Sequence, residues 1–286
     1  MKVSIVISIK NRTKLFRRSL KQYNKQNMSR EDWELVVVDD SSDEDVLGTL
    51  REYASDLNWQ YIKMDSKLND FPIYWGPALS NNVGFKSSKG DVIAIAGPEI
   101  MIDENVLDIS YDTARIGVSA FGHVQFSHNK FVNLMDKNPD MEDHSFKKLF
   151  SLPIAKNGYP DITVKNFYWF WAACPREAIM DMGGCDEQFM RGICGDDDDF
   201  ADRLSLIGAR PVHQMDIKGI HQEHATEDRK DPKRVRHNPL WEVARKLNTK
   251  HLESNRRNKV TVVNEGRDWG SERLVIERVE NFTEKT

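Results

Sequence analysis

Residues 196–199 are four consecutive aspartates, which follow Gly195 and precede an apolar run. Like charges this close repel one another and raise the pKa values of some of the carboxyl groups. A fold tolerates that repulsion where a metal, a base or a hydroxyl-bearing substrate uses the charges. Phe200, Leu204 and Ile207 recur at helical spacing, which predicts that the acids begin a helix anchored in the core. The alternative is a solvated acidic turn, the usual role of a run of charges.

The composition is that of a globular chain, with 286 residues, 39% hydrophobic and 30% charged. This length suits one large α/β domain with or without appendages. No apolar stretch is long enough to span a bilayer, and the N-terminal apolar run lacks a small-residue cleavage site, so we predict a first strand there rather than a signal peptide. Three cysteines without a zinc-binding spacing are expected to be reduced thiols in a cytoplasmic protein. The net charge of -4 argues against general affinity for nucleic acid.

Strand-like and helix-like segments alternate through the first hundred residues. Strands are predicted over 3–9, 34–38, 59–64 and 91–96, and helices over 14–22, 46–53 and 77–87. This alternation predicts an α/β fold with a mostly parallel central sheet flanked by helices. Ligands of such sheets bind beyond the carboxyl ends of the strands. The polar residues that fall at those ends are Lys10, Arg12, Asp39, Asp40 and Glu99. No Gly-x-Gly-x-x-Gly motif and no Walker loop follows the first strand, so a classical dinucleotide site is not predicted.

Five segments in order resemble family 2 glycosyltransferases with the GT-A fold, a Rossmann-like architecture. They are residues 4–12, residues 36–43, residues 82–85 with 89–93, residues 183–189, and residues 195–200 with 203–204. The second half is also similar to the β-1,4-galactosyltransferase group, in which an acidic helix start is followed by a metal-binding segment with histidine. Each motif alone is weak, whereas five in order are fairly specific. The resemblance covers roughly residues 3–225 and implies an inverting hexosyltransferase.

The resemblance implies a role for each acid at the helix start. Asp197 would be the general base that takes the proton of the acceptor hydroxyl, and Asp196 would orient the acceptor. One displacement with the base on the opposite face inverts the anomeric configuration. Asp198 and Asp199 are expected to support the helix N-terminus. Trp171, from an aromatic run, is predicted either to stack on the acceptor sugar or to lie in the core.

The donor site is predicted at the ends of the first two strands. Ser8, Lys10 and Arg12 correspond to family positions that contact the nucleotide, and a positive side chain there suits a diphosphate. The alternative for them is a solvated turn. Asp39 and Asp40 are candidates to hydrogen-bond the base or ribose, or one of them caps the following helix.

The Asp-x-Asp metal motif of the family is incomplete in this chain. Residues 96–99 read Ala-Gly-Pro-Glu, so the first acid is missing and Glu99 stands at the place of the second. The resemblance implies His224 as a metal ligand, and His221 is a further candidate. Mixed imidazole and carboxylate ligation suits Mn²⁺, with Mg²⁺ as the other candidate cofactor. A surface loop with two histidines is the alternative.

The domain prediction divides the chain at residue 225. Residues 1–225 form the GT-A domain, with a donor half at 1–100 and an acceptor half at 101–225. Residues 226–286 form a basic extension with a helix and a β-hairpin built from 259–263 and 273–279, which packs on the body or on another subunit of a homo-oligomer. The expected donor is a nucleotide-diphosphate sugar such as a UDP-sugar. The hydroxyl acceptor stays open among glycans, lipid-linked sugars, proteins and modified nucleic acid.

Two other functions compete with this one. The missing metal acid favours a degenerate domain that binds a nucleotide or glycan without catalysis, whereas the presence of Asp197, Glu99 and His224 disfavours it. A nucleotidyltransferase shares the sheet type and a carboxylate-bound metal. It would need a Gly-rich basic phosphate loop after the first strand, which this sequence lacks.

Overall fold

The computed structural model describes residues 1–68, 76–126, 170–222 and 241–282. Its strands are β1 Val3–Ile9, β2 Trp33–Asp40, β3 Trp59–Met64, β4 Val92–Ala96, β5 Ile100–Ile102, β6 Ser119–Phe126, β7 Trp171–Pro175, β8 Pro211–His221 and β9 Val275–Asn281. Its α-helices are α1 Thr13–Tyr23, α2 Val46–Tyr53, α3 Ala78–Ser87, α4 Val106–Ala114, α5 Arg176–Asp181, α6 Asp196–Leu206 and α7 Trp241–Asn258. The strands form one nine-stranded sheet in the order β5-β8-β6-β7-β4-β1-β2-β3-β9.

The first four strands form the parallel part of this sheet. β1 pairs in parallel with β2 and β4, and β2 pairs in parallel with β3. In the other half, β7 runs antiparallel to β4 and β6, and β5 runs antiparallel to β8. The α/β architecture with helices on the sheet is therefore confirmed, and the antiparallel pairs make its second half mixed.

Both faces of the sheet are buried, because the first strands carry apolar residues at consecutive positions. Alternate strand residues point to opposite faces. Val3, Ile5 and Ile7 accordingly join the core cluster that also contains residues of α1, α2 and α4. Val6 joins the second cluster, with residues of α3, α5 and α6. The helices cover the two faces of the sheet, whereas polar residues occupy the carboxyl ends of the parallel strands.

The C-terminal segment forms one strand, and the predicted hairpin is wrong. Residues 260–263 are not a strand; the Val263 amide donates a hydrogen bond to the carbonyl of Met182. β9 pairs antiparallel with β3 at the edge of the sheet. Gly266 and Gly270, which suggested a turn, lie in the segment between these two contacts. The tail therefore crosses the body of the protein and adds a strand to its sheet.

The cysteines do not form disulfides. Cys174 and Cys185 are buried and Cys194 is exposed, and all three are free. Burial raises the pKa of the Cys174 thiol to about 12, which keeps it protonated near neutral pH. Within the described ranges, none of the helices has the length and hydropathy of a membrane span.

Candidate active site

The chain turns sharply where β1 ends. Asn11 and Arg12 both have positive φ, 61° and 68°, a region that side chains other than glycine rarely adopt. The Asn11 side-chain oxygen accepts hydrogen bonds from the amides of Asp43 and Glu44, and the Asn11 amide donates to Ser42 Oγ at 2.7 Å. These bonds hold the turn against the end of β2 and place Lys10 and Arg12 at the carboxyl edge of the sheet.

The two aspartates that end β2 are already hydrogen-bonded within the protein. Asp39 is 1% exposed; it accepts from the Tyr61 hydroxyl at 2.8 Å and from the Ser42 amide at 2.8 Å. Asp40 accepts from the amide and hydroxyl of Ser66 at 3.0 and 2.9 Å, and the Lys10 ammonium lies 3.7 Å from it. Asp39 thus serves the turn after β2, and Asp40 is the more accessible of the two for a nucleotide.

Ser8 is linked to the buried polar face of α3. Its hydroxyl donates to Asn81 Oδ1 at 2.6 Å, and Asn81 is 1% exposed. Burial raises the pKa of the Cys185 thiol, which lies near both the Asn81 side chain and the Asp196 carboxylate. A short chain of side chains therefore connects the end of β1 with the start of α6, where the predicted acceptor side begins.

Glu99 lies between two cationic or potentially cationic groups. Its Oε2 is 3.1 Å from Arg12 Nη1, and its Oε1 is 3.4 Å from His221 Nε2. The Glu99 side chain is 9% exposed, so these charges are largely shielded from bulk water. A Cβ on Gly97 would come within 3.0 Å of Glu99 Oε1. Glycine at the place of the missing motif acid therefore leaves room for this carboxylate.

The arrangement around Glu99 provides donors that suit a divalent metal. A carboxylate oxygen and an imidazole nitrogen 3.4 Å apart form a mixed donor pair of the kind that binds Mn²⁺. No group of three or more His, Cys, Asp or Glu residues that could hold a metal occurs within the ranges described above. Such ions commonly complete their shell with water and substrate phosphate. Glu99 and His221 thus fit part of a metal site, and His224 lies outside the described residues.

The acidic run begins a helix, as the sequence predicts. Gly195 takes the N-cap position with φ of 85°, and all four aspartates stand in the first turn of α6. Burial, and then the negative charges of Asp196 and Asp198, raise the pKa of Asp197 to about 8. A carboxyl group with a pKa near neutrality can both accept and release a proton at physiological pH, which is the property required of a general base.

Asp199 has a structural role, because it forms a buried ion pair with Arg203. Its Oδ2 lies 2.7 Å from Arg203 Nε, and both side chains are at most 2% exposed. Arg203 also donates to the carbonyls of Met182 and Gly184 at 3.2 and 2.9 Å. This buried pair ties α6 to the loop that follows α5. Removing one partner of such a pair typically costs about 3–5 kcal/mol of stability.

The loop that follows α5, residues 183–187, needs glycine at two positions because of its backbone geometry. Gly183 and Gly184 have φ of 77° and 69°, and a Cβ on Gly184 would lie 2.4 Å from Asn82 Oδ1. Asn82 donates to the Cys185 carbonyl at 2.9 Å and to Glu187 Oε1 at 3.1 Å. The loop is thereby held against α3, next to the acidic start of α6.

Trp171 lies in the core and not at a sugar-binding surface. Its side chain is part of the first core cluster at 2% exposure, and its indole N–H donates to Ser110 Oγ at 3.0 Å. β7 pairs it with Ala96 in the middle of the sheet. Trp171 is therefore not placed to stack on an acceptor sugar, because its ring packs into the core at the start of β7.

Trp171→Phe should consequently lower stability without affecting the acceptor. Loss of the buried hydrogen bond and of part of the ring should cost about 1–3 kcal/mol. The measurement is the urea midpoint, compared with Trp241→Phe on the partly exposed start of α7. An increase in the acceptor KM with an unchanged midpoint would contradict the core assignment.

Sequence reasoning missed several residues that support the site. They are Asn81, Ser66, Tyr61, Asn248 and Asn255, each of which hydrogen-bonds a predicted site residue or the loops beside one. No sequence signal marks Asn81, which stands in a helix whose residues 78–85 are all buried in the structure. A polar residue in such a helix requires a partner.

Comparison with known proteins finds a family match for the first third of the chain. Residues 4–97 match the family described as Glycosyl transferase family 2. Poly(ribitol-phosphate) beta-N-acetylglucosaminyltransferase TarS of Staphylococcus aureus is 25% identical over 107 residues, which are 37% of this chain and 18% of TarS. Validoxylamine A glucosyltransferase of Streptomyces hygroscopicus is 23% identical over 243 residues, which are 78% of this chain and 56% of that protein. The chain thus matches only part of the length of these relatives.

Solved structures share the architecture at lower sequence identity. TarS residues 1–349 in complex with UDP give a TM-score of 0.57 at 15% identity, covering 78% of this chain and 61% of that one. Mannosyltransferase PcManGT from Pyrobaculum calidifontis, in complex with GDP-Man and Mn²⁺, gives 0.53 at 15% identity, covering 90% and 73%. The similarity to the β-1,4-galactosyltransferase group stays a prediction. The chain thus has the GT-A fold of these structures, and its residues 4–97 are similar to the family 2 glycosyl transferases.

Proposed function

We propose that this chain is a metal-dependent, inverting glycosyltransferase that moves a hexose-type sugar from a UDP-sugar to a hydroxyl acceptor. The observation that carries the proposal is Asp197, which stands in the first turn of α6 between Asp196 and Asp198 and whose pKa is raised to about 8. The family match supports the reaction class, and TarS structures with UDP and with UDP-GlcNAc support the donor class. All named relatives considered above are glycosyltransferases.

The donor would bind at the ends of β1 and β2. Lys10 and Arg12 supply positive charge for the diphosphate, and an Arg guanidinium matches phosphate oxygens well. Both side chains are substantially exposed, at 56% and 40%, so a ligand can reach them. Asp40 and Ser8 lie beside them and offer hydrogen bonds to the nucleoside. Residues 1–100 thus form the donor half in this proposal.

Glu99 and His221, together with His224, would hold the metal, Mn²⁺ or Mg²⁺. When bound, the ion supplies Lewis-acid neutralisation of the diphosphate leaving group. The charge of Arg12, 3.1 Å from Glu99, adds to that neutralisation from the protein itself. The Mn²⁺ in the PcManGT complex supports a divalent cofactor.

Asp197 would take the proton of the acceptor hydroxyl as its oxygen attacks the anomeric carbon. The new bond joins the acceptor oxygen to that carbon, the bond to the diphosphate oxygen breaks, and the electron pair leaves with the diphosphate. Burial, and then the like charges of Asp196 and Asp198, make Asp197 a stronger base than an isolated carboxylate. Asp196 orients the acceptor, and residues 101–225 form the acceptor half.

The proposal also covers the acceptor, the cellular location and the oligomeric state of the protein. The acceptor is a hydroxyl of a glycan, lipid-linked sugar, protein or modified nucleic acid. Free thiols agree with a cytoplasmic location. An oligomer would form through residues 226–286, whose described part already packs on the protein's own sheet and loops.

Nucleotide binding without catalysis is the competing function, and one observation favours it. Gly97 replaces the first motif acid, and Glu99 already has Arg12 and His221 as neighbours in the protein alone. A panel of nucleotide-sugars should separate the two functions. We expect one of them to raise the unfolding temperature, more so with Mn²⁺, since a ligand of the native state stabilises it. That donor should then be hydrolysed or transferred with Mn²⁺ and not with a chelator. Binding without turnover would support the competing function.

A further inference from the structure

Helix α7, which is absent from the matched family segment 4–97, packs along the residues that precede and follow Asp197. The amide of Ile193 donates to the carbonyl of Ala244 in α7 at 3.3 Å. Leu252 lies against Gly195, since a Cβ on that glycine would be 3.5 Å from Leu252 Cδ2. The helix therefore touches the turn from which the acidic run emerges.

Asn248 holds the chain before Asp197. It is 2% exposed, and its Nδ2 donates to the carbonyls of Phe189 and Cys194 at 2.9 and 3.0 Å. A Cβ on Gly192 would lie 2.3 Å from Asn248 Oδ1, so this glycine makes room for the amide. The side chain thus binds two backbone carbonyls of residues 189–194, and one of them, that of Phe189, also accepts from the Gly192 amide at 3.1 Å.

Asn255 holds the chain after Asp197. Its Nδ2 donates to Asp199 Oδ1 at 2.8 Å and to Asp186 Oδ2 at 3.3 Å. Asp199 is the acid whose other oxygen pairs with Arg203. The same Asp186 oxygen lies 2.7 Å from His251 Nε2, also on α7. One face of α7 therefore binds two acids, one in the loop 183–187 and one in the first turn of α6.

The spacing of the two asparagines matches the segment that they hold. They are seven residues apart, two helical turns or about 10 Å along α7, and so lie on the same face. Their contacts at Cys194 and Asp199 bracket Asp197 from both sides. Burial and neighbouring negative charges destabilise the ionised form of Asp197, so this side chain would move toward solvent unless its backbone were fixed. A displacement of about 1 Å can lower the rate by about 100-fold.

We propose that Asn248 and Asn255 are positioning residues that fix Asp197 for proton transfer by holding the chain before and after it. This inference rests on the proposed role of Asp197 as the base. The helix that carries them is outside the family segment, so residues of the C-terminal region complete the acceptor side of the site.

The test compares Asn255→Ala with Asn258→Ala on the same helix. Asn258 is exposed and contacts Ser254 Oγ at 3.4 Å, so its substitution controls for loss of an asparagine from α7. We expect Asn255→Ala to lower kcat by about 10-fold or more with an unchanged donor KM. A loosened turn lets water reach Asp197, so the pH at which turnover rises should fall by about one unit. Asn258→Ala should change none of these. Asn248→Ala should resemble Asn255→Ala if it folds.

Amide hydrogen exchange gives a readout that does not depend on turnover. Residues 193–199 should exchange faster in Asn255→Ala than in Asn258→Ala, because local opening becomes easier. Equal exchange, or faster exchange with an unchanged kcat and pH profile, would overturn the inference. If the native protein transfers no sugar from any donor, the proposed function fails; the exchange rates still decide whether α7 holds this turn.

Discussion

Asp197→Asn is expected to lower turnover by about 100-fold or more while leaving donor binding intact, the usual scale for loss of a general base. The amide keeps the shape of the side chain and its place in the first turn of α6, but it cannot accept the acceptor proton. The measurement is kcat for sugar transfer, together with the dissociation constant of the donor by calorimetry.

Neighbouring acids supply the controls for this substitution. Asp202→Asn lies in the same helix, where Asp202 pairs with Arg256 at 2.6 Å, and should leave kcat within about two-fold because surface pairs contribute little. The outcome that contradicts the assignment is near-normal transfer by Asp197→Asn with loss of transfer in Asp196→Asn or Asp198→Asn. The base would then be another acid of the run.

The pH dependence follows from the raised pKa of Asp197. The base works when it is ionised, so turnover of the native protein should rise with pH and level off above about 8. The folded state also keeps the proton between about pH 4 and 8, where the unfolded carboxyl has lost it. The contribution of Asp197 to the free energy of unfolding therefore falls as the pH rises from about 4 to 8. Asp197→Asn should accordingly unfold at a higher temperature than the native protein at pH 9, and the difference should shrink at pH 5.

The first half of the fold could be predicted because local signals suffice there. Buried strands such as 3–9 and 59–64 are short apolar runs between helices, and the structure has them at those bounds. The tail could not be predicted in this way. β9 reads Val-Ile-Glu-Arg-Val-Glu-Asn and pairs with β3, more than 200 residues earlier, and no turn chemistry reveals so distant a partner.

The site shows the same limit. The strand-end rule brought Lys10, Arg12 and Glu99 to one edge of the sheet, and the structure pairs Arg12 with Glu99 across 87 positions. The rule does not say which polar residues face a ligand and which face the protein. Asp39 stays a predicted nucleotide contact, and within the protein the Tyr61 hydroxyl and the Ser42 amide each donate to one of its oxygens. Trp171 failed for a related reason, since aromatic composition does not distinguish a binding surface from the core.

Glu99→Gln is expected to lower kcat/KM for the donor by about 100-fold or more and to abolish stimulation by Mn²⁺. Loss of an outer-shell partner of a metal site already costs about 10- to 100-fold, and a direct carboxylate ligand should cost at least as much. The amide keeps the volume of the side chain next to Gly97, so packing changes little. The measurement is transfer as a function of Mn²⁺ concentration, with the exposed Glu104→Gln as the matched control.

Arg12→Gln decides what Glu99 does, because Glu99 has both a cation and an imidazole beside it. If Glu99 binds the metal, Arg12→Gln should raise the donor KM and leave Mn²⁺ stimulation in place, whereas Glu99→Gln loses it. His224→Ala should weaken Mn²⁺-dependent donor binding, and His221→Ala should do so to a smaller extent. If Arg12→Gln and Glu99→Gln instead have the same effect at every Mn²⁺ concentration, Glu99 acts only by holding Arg12. Neutralisation of the leaving group would then rest on the guanidinium, and the metal proposal would fail.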